Sequence, residues 1–439
     1  MTLPAEPIRG RRPSRSPLRI LLYSHDSYGL GHIRRNLAIA EEIGAEFPEA
    51  STLLLAGNPR SHSFRMPPRL DYVKIPSVTK GSEGGYRSRS LSLSISEITR
   101  LRESIILETV RGFHPDVVLV DHAPLGMRGE LKAALRALRR ERPATRVVLG
   151  LRDIIDDEET VLADWARDGV WPMIEECYDR ILVYGAPEVF DPRVRYRFPK
   201  SVAEKTRFTG YVYRNGVVAD PAPIRSTAAA RTGKLVVVTL GGGGDGHRIV
   251  RKYLSAIAGY PHGTVPFDSL VVTGPLMSDK KRDALKAAST ERGLPVTFLD
   301  FAPNILDYFA AADAIVCMAG YNTLCEVAAL GKPAVVVPRE HPRLEQSIRA
   351  RRFADLGHCR AIEPARLSGH AIRHALEEMI LSPHSGDGSS LPAAPLDFDG
   401  LERTAAEIRD LLGIGAVPAS PRGEFAVPRG RERKSNGSG

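Results

Sequence analysis

The sequence predicts an α/β protein built as two Rossmann-like, doubly wound domains that face each other across a cleft. Three observations carry this. Short apolar runs of four to seven residues alternate with helical stretches, and continuous Val, Leu and Ile runs suit strands buried on both faces of a parallel sheet. The alternation occurs twice, on either side of a polar stretch rich in Pro, Ala and Thr. A chain of 439 residues also exceeds what one compact core holds.

The first series opens with "RILLYS" (19–24), followed by an amphipathic helix over 32–47. "STLLLAG" (51–57), "DVVLVD" (116–121), "RVVLGL" (146–151) and "RILVYG" (180–185) continue the strands, with a helix over 127–140. The second series has "KLVVVTL" (234–240), "SLVVTG" (269–274), "VTFLDF" (296–301), "AIVCMA" (314–319) and "AVVVP" (334–338). Helices are expected between them over 247–258, 279–291, 321–330 and 343–356. The expected division is a first domain over 17–214, a linker over 215–233 and a second domain over 234–398. A final helix over 399–412 is placed to pack back on the first domain. Residues 1–16 and 413–439 read as disordered basic tails. The Gly-, Ser- and Arg-rich stretch "TKGSEGGYRSRSLSLS" (79–94) reads as a loop, either mobile over an acceptor or simply on the surface.

Apolar residues make up 43% and charged residues 26% of the chain, ordinary for a globular protein. Cys177, Cys317, Cys325 and Cys359 form no C-x-x-C pair and read as reduced residues of a cytosolic protein. The net charge is +9. Residues 1–16 hold four Arg and one Glu, and residues 413–439 hold four Arg, one Lys and two Glu. The two ends therefore carry most of the excess, and a nucleic-acid binder would concentrate it on a folded face instead. No nucleic-acid partner is expected. Tails of this kind either aid solubility or draw the chain weakly to an anionic membrane surface. No apolar run approaches a bilayer span, and the N-terminus has no apolar h-region. The expected location is cytoplasmic, with peripheral association at the inner face of the membrane left open.

Three junctions carry chemistry. "TLGGGGDGHRIV" (239–250) places four glycines where a strand ends and a helix begins. Glycine lets a ligand approach the backbone, and the following helix start offers unpaired N–H groups to a pyrophosphate. The alternative is a tight turn alone. There is no G-K-[ST] here, so this is not a Walker A loop. "GLGH" (29–32) repeats the device in the first domain, with Gly29 and Gly31 making the turn and His32 at the helix start. The helix dipole disfavours a second positive charge there, so His32 stays neutral and can accept a proton, unless it only caps the helix. "MAGYNTLCEVAALGKPAVVVPREHPRLEQSIRA" (318–350) places Gly320 at a strand end, Glu326 one to two turns into a helix, and Glu345 and Gln346 at the mouth of the cleft. Carboxylates and amides there suit sugar hydroxyls, or are ordinary caps and solvated faces.

Together these residues resemble the family 28 glycosyltransferases of MurG-like type, which have the GT-B fold. "GGGGDG" (241–246), "FLD" (298–300), "GYNTLCE" (320–326), "GKPAVVVP" (331–338) and "EQ" (345–346) follow that family's pattern in order. The resemblance is clearest over 235–365. It implies an inverting, metal-independent transfer of a hexose or N-acetylhexosamine from a nucleotide sugar, UDP-linked, to a hydroxyl acceptor in cell-envelope polysaccharide chemistry. It implies no cofactor and no metal. By position, the backbone at Leu299 meets the uracil and Glu326 the ribose. Gly243, Gly244, Asp245 and Gly246 face the pyrophosphate, where Thr323 adds a hydroxyl; Gly242 and Gly320 belong to the same nucleotide-sugar site, and Glu345 and Gln346 read the sugar. His32 is the base. The acceptor, glycan, lipid-linked or small, lies near Gly29, Gly31, Asp121, His122, Arg152 and Asp153, with His122 a rival base. Ser27 and Tyr28 stand where two glycines are usual, and Glu345 where a second glutamine is. The motif therefore implies neither a lipid-pyrophosphate acceptor nor an N-acetylglucosamine donor. The pair Asp397 and Asp399 forms a D-x-D, as in metal-dependent transferases, but its place before the last helix suits capping by Asp399. A nucleotide-sugar hydrolase or epimerase of the same fold, and a non-catalytic nucleotide-sugar binder, remain alternatives.

Overall fold

The computed structural model describes residues 17–25, 30–80, 85–213, 219–381 and 394–415. Ser27, Tyr28, Gly29, residues 1–16 and residues 416–439 lie outside them. The first domain runs β1 (Arg19–Ser24), α1 (Gly31–Glu46), β2 (Ser51–Ala56), β3 (Leu70–Lys74), β4 (Val78–Lys80), β5 (Tyr86–Ser88), α2 (Ile95–Phe113), β6 (Val117–Asp121) and α3 (Lys132–Glu141). It continues with β7 (Arg146–Arg152), α4 (Glu158–Asp168), α5 (Val170–Cys177), β8 (Arg180–Tyr184), α6 (Pro192–Arg195), α7 (Lys200–Glu204) and β9 (Thr206–Phe208). The second runs α8 (Ala222–Ala228), β10 (Leu235–Thr239), α9 (His247–Ile257), β11 (Asp268–Val272), α10 (Asp279–Glu291), β12 (Val296–Leu299) and α11 (Ile305–Ala311). Then come β13 (Ala314–Cys317), α12 (Tyr321–Ala329), β14 (Ala334–Val336), α13 (Glu345–Asp355), β15 (Arg360–Ala361), α14 (Gly369–Ile380) and α15 (Gly400–Leu411).

Two parallel sheets result. The first has the order β3-β2-β1-β6-β7-β8-β9 and the second β12-β11-β10-β13-β14-β15. The central strands are buried on both faces, with β6 and β10 buried at every residue. That is why their sequences read as unbroken apolar runs. In each sheet the order reverses beside the first strand, between β1 and β6 and between β10 and β13. At such a switch point the flanking helices leave in opposite directions and open a crevice at the strands' carboxyl ends. His25, the start of α1, Asp121 and His122 gather at one switch point. Gly241 and Gly320 follow the strands of the other.

Several expectations need correction. The 215–233 stretch is no plain linker: α8 lies in it, and Arg225 of that helix bonds Ala311 O, Asp313 and Gly233 O. It belongs to the second domain, because its arginine supplies donors to that sheet's strand-entry turns. The 79–94 stretch is no plain loop either. Val78–Lys80 and Tyr86–Ser88 pair as an antiparallel hairpin, and Ser94 and Glu97 form a capping box for α2, an arrangement worth about 1 kcal/mol. Asp399 sits at the N-cap of α15 but makes no side-chain cap bond. Its backbone is not extended there, and its N–H instead donates to Asp397 Oδ1 at 3.0 Å. The helix itself lies against α1, with Arg409 paired to Glu46 and Arg180 to Glu407 and Asp410.

Candidate active site

A cavity of about 610 Å³ lies between the two sheets' switch points. Its first-domain wall is His25, Gly31, His32, Arg34, Arg35, Tyr86, His122 and Arg152. Its second-domain wall is formed by Gly241, Gly242, Asp245, Gly274, Phe301, Ala302, Gly320, Thr323, Glu326, Arg339, Arg343 and Glu345, among others.

His32 opens α1. No side chain caps that helix start and no acidic residue lies in its first turn, so its free N–H groups face the cavity. His32 Nδ1 lies 2.6 Å from Asp121 Oδ2. A carboxylate only accepts, so Nδ1 carries the hydrogen and Nε2 keeps its lone pair on the side His32 turns to the cavity. Asp121 is buried behind the ring at 2% exposure. It also accepts from Arg35 Nε at 3.1 Å and Nη2 at 2.5 Å, both on Oδ1. Burial lowers the His32 pKa to about 4, and Asp121 offsets this only in part. Burial alone would raise the Asp121 carboxyl, but Arg35 and His32 override it and hold it well below the usual range. The pair is thus a neutral imidazole on a charged carboxylate. The sequence placed Asp121 on the acceptor wall. It is not among the lining residues; it sits one layer back and orients the His32 ring.

His122 follows β6 in a left-handed conformation, φ 68°, with its N–H on Gly150 O. Its Nε2 meets Arg152 Nη2 at 3.1 Å, and its Nδ1 is buried without a partner. Burial depresses the pKa values of both His25 and His122. Arg152 is lowered to about 10, first by burial and then by Arg35. No described carboxylate is paired with it directly. The rings of His25, His32 and His122 lie 5.4–6.0 Å apart, centre to centre. Among the described residues no three His, Cys, Asp or Glu side chains are placed to share a metal ion. Asp153 does not line the cavity. It is fully buried and bonded to Arg349, because a carboxylate at that depth needs a cation.

On the opposite wall, Gly241 and Gly242 reach the cavity while Gly243, Gly244 and Gly246 do not. Gly243 has φ +89°, and a Cβ there would sit 2.1 Å from Thr273 O. A Cβ on Gly246 would strike Leu240 at 2.5 Å. These two glycines let the loop fold flat against its neighbours and so turn Gly241 and Gly242 outward. Asp245 is paired with Arg339 at 3.0 Å. α12 starts at Gly320 without a side-chain cap, and Thr323 and Glu326 face inward from its first two turns. Glu326 is 7% exposed and lies 3.8 Å from Arg34 of the first domain. Leu299 does not reach the cavity; its carbonyl accepts from Thr273 N at 2.9 Å. The open surface is two residues on, at Phe301, which is 54% exposed, and Ala302. Glu345 lines the cavity and is held by Arg339 at 2.9 Å. Burial would raise its carboxyl, and Arg152 and Arg339 lower it instead. Gln346 turns away, its Oε1 accepting from Arg339 N at 3.3 Å.

Sequence reasoning missed His25, Arg34, Arg35, Arg339 and Arg343. Signals existed for some. His25 directly follows the first strand, and Arg35 lies one turn beyond His32 on the same helix face.

Residues 237–390 match the family model described as the glycosyltransferase family 28 C-terminal domain. Over that part of its second domain the chain is similar to the family 28 glycosyltransferases. It is 27% identical over 311 residues to the UDP-N-acetylglucosamine–N-acetylmuramyl-(pentapeptide) pyrophosphoryl-undecaprenol N-acetylglucosamine transferase of Geotalea daltonii, covering 70% of this chain and 74% of that one. Against the Mannheimia succiniciproducens protein of that name, identity is 29% over 180 residues, 41% of this chain and about half (49%) of the relative. The solved structure of Acinetobacter baumannii MurG superposes with a TM-score of 0.56 at 13% identity, covering 90% of this chain and 100% of that one. A putative UDP-N-acetylglucosamine 2-epimerase from Listeria monocytogenes gives 0.62 at 12%, covering 91% and 98%. Both likenesses show the GT-B fold.

Proposed function

We propose that this chain is a MurG-like family 28 glycosyltransferase that moves a sugar from a UDP-sugar, with inversion and without a metal ion, to the hydroxyl of an acceptor that carries negative charge. The observation that carries the reading is the His32–Asp121 contact at 2.6 Å, in one cavity with Glu326 and the Gly241–Gly242 turn. The relatives' names supply the UDP-linked donor. The uracil would rest on Phe301 and Ala302, and Glu326 would take the ribose hydroxyls. The pyrophosphate would meet the amides of Gly241, Gly242 and the uncapped start of α12, where backbone dipoles stabilise the departing UDP. His32 Nε2 would take the acceptor proton as the hydroxyl attacks the anomeric carbon, while Asp121 steadies the imidazolium that forms. Arg152, which no described carboxylate pairs, and Arg343 place positive charge on the acceptor side, which suits a phosphate-bearing acceptor. Among the described residues no helix is long and apolar enough to cross a membrane, so a lipid-borne acceptor would be met at the membrane surface.

The test is calorimetric. UDP is titrated against GDP, TDP and ADP on the wild type and on Glu326→Ala. Selective UDP binding is expected. The variant should lose about 10- to 100-fold, the worth of one hydrogen bond to a charged group. Equal binding of all four nucleotides would end the UDP assignment. UDP release that needs no acceptor would turn the reading to a hydrolase.

A further inference from the structure

We propose that Arg35 and Tyr321 are positioning residues that make the His32–Asp121 pair dependent on domain closure: the second domain's Tyr321 ring holds the Arg35 guanidinium on Asp121. The inference rests on the reading of His32 as the base. Arg35 is 3% exposed and places two bonds on Asp121 Oδ1, which leaves Oδ2 for His32; its Nη2 also lies 3.0 Å from His32 Nδ1. Its guanidinium lies against two rings. Tyr184, at the end of β8 in its own domain, is 5.9 Å from it, and Tyr321, opening α12 of the other domain, is 5.6 Å from it.

The Tyr321 ring also meets a second guanidinium, that of Arg349, at 5.7 Å. Arg349 is bonded to Asp153, which directly follows β7. One buried ring thus contacts two cations, each tied to a carboxylate at a first-domain strand end. The ring itself is fixed, because its hydroxyl accepts from Val212 N at 3.0 Å. Next to it, Asn322 Nδ2 donates to Gly31 O at 3.2 Å, one residue before His32. When the domains part, Tyr321 and Asn322 leave with α12. Arg35 then loses one apolar face, water competes for its donors, and Asp121 is no longer clamped from behind. The base is therefore set only with the donor domain in place, which keeps an ordered imidazole from meeting an acceptor before the donor is present.

Charged or titratable groups reach His32 from every element around it: Asp121 at the end of β6, His122 just beyond it, Arg35 on α1, His25 after β1 and Arg152 at the end of β7. The measurement is the titration of the His32 ring by NMR with histidine-selective labelling, beside kcat and KM for the UDP-sugar. The expected result is that wild-type His32 stays unprotonated through pH 5. In Arg35→Met its titration should move up by a pH unit or more, because a cation is gone and Asp121 is left uncompensated. Tyr321→Leu should move it the same way, with kcat down at least tenfold and UDP affinity within threefold of wild type. Tyr321→Phe keeps a ring beside Arg35 but loses its anchor on Val212 N, so its shift should be smaller than that of Tyr321→Leu. A Tyr321→Leu protein with wild-type His32 titration and kcat would overturn the proposal. Should that variant not fold, Arg35→Lys decides, since it keeps the charge but not the flat stack: tenfold lower kcat supports the proposal and unchanged kcat overturns it. The ring titration does not depend on turnover, so an inactive wild type would count against the proposed function alone.

Discussion

His32 suits the role of a base because its surroundings refuse it a proton. Burial lowers its pKa to about 4 even with Asp121 in contact. The imidazole is then neutral across the ordinary range, and kcat/KM should be flat from pH 8 down to pH 5. An acid limb near 6.5, the value of a solvated histidine, would show that His32 is not the group that matters. Asp121→Asn keeps the shape but loses the anion that fixes the tautomer and steadies the imidazolium, so a loss of about 10²- to 10⁴-fold in kcat is expected. The same burial has a stability consequence. His25, His32 and His122 all hold protons less well folded than unfolded. The unfolded chain binds them near 6.5, so below that pH protons favour unfolding, and the loss deepens as pH falls towards 4. The urea midpoint should fall between pH 7 and pH 5, and His122→Gln should flatten that slope. A slope equal to the wild type's would remove His122 from the account.

The glycine turn after β10 shows that neighbouring glycines serve different ends. Gly241 has φ +60° and open space where a side-chain methyl group would project, whereas a Cβ on Gly243 would meet the backbone oxygen of Thr273. Gly241→Ala should cost about 1–2 kcal/mol of backbone strain. Gly243→Ala adds a clash with a carbonyl that cannot rotate aside, for a total of about 3–5 kcal/mol. Urea denaturation of the two variants compares them, and equal losses would mean that the loop moves as a unit. At this scale the sequence was informative where chemistry sits at a strand-to-helix junction. His32, Glu326 and the glycine turn were legible because an apolar run and a helix bracket each of them. Orientation was not. Leu299 and Gln346 stand at the expected positions, yet a parallel-sheet partner takes the Leu299 carbonyl and the Arg339 amide takes the Gln346 side chain. A motif gives the place of a residue along the chain, and only the packed neighbours decide which way it faces.

Between the domains, the most deeply buried ion pair is Asp153 with Arg349. Both side chains are fully buried, with Arg349 Nη2 at 2.7 Å and Nε at 3.1 Å from the carboxylate. Arg349 Nη1 also donates to Ala319 O at 3.0 Å. The partners are 196 residues apart, so no local pattern in the chain announces the pair, and Asp153 alone read as part of the acceptor wall. Removing one partner leaves the other charged in a site without water. Asp153→Asn or Arg349→Met should therefore cost about 3–5 kcal/mol. Losing both charges is a different case. Asp153→Leu with Arg349→Met leaves no orphan charge, and apolar side chains of similar volume replace such a pair at a net cost near zero, to which is added the loss of a donor at Ala319 O and Ile154 O and of the acceptor at Ile154 N. The double variant should then be more stable than either single one, with a coupling energy of about 3 kcal/mol in the cycle. Additive losses would mean that the pair adds little beyond its separate packing. Scattering adds the second reading. If this bond keeps the domains closed, each single variant has a larger radius of gyration than the wild type; an unchanged radius would leave the pair a role in stability alone.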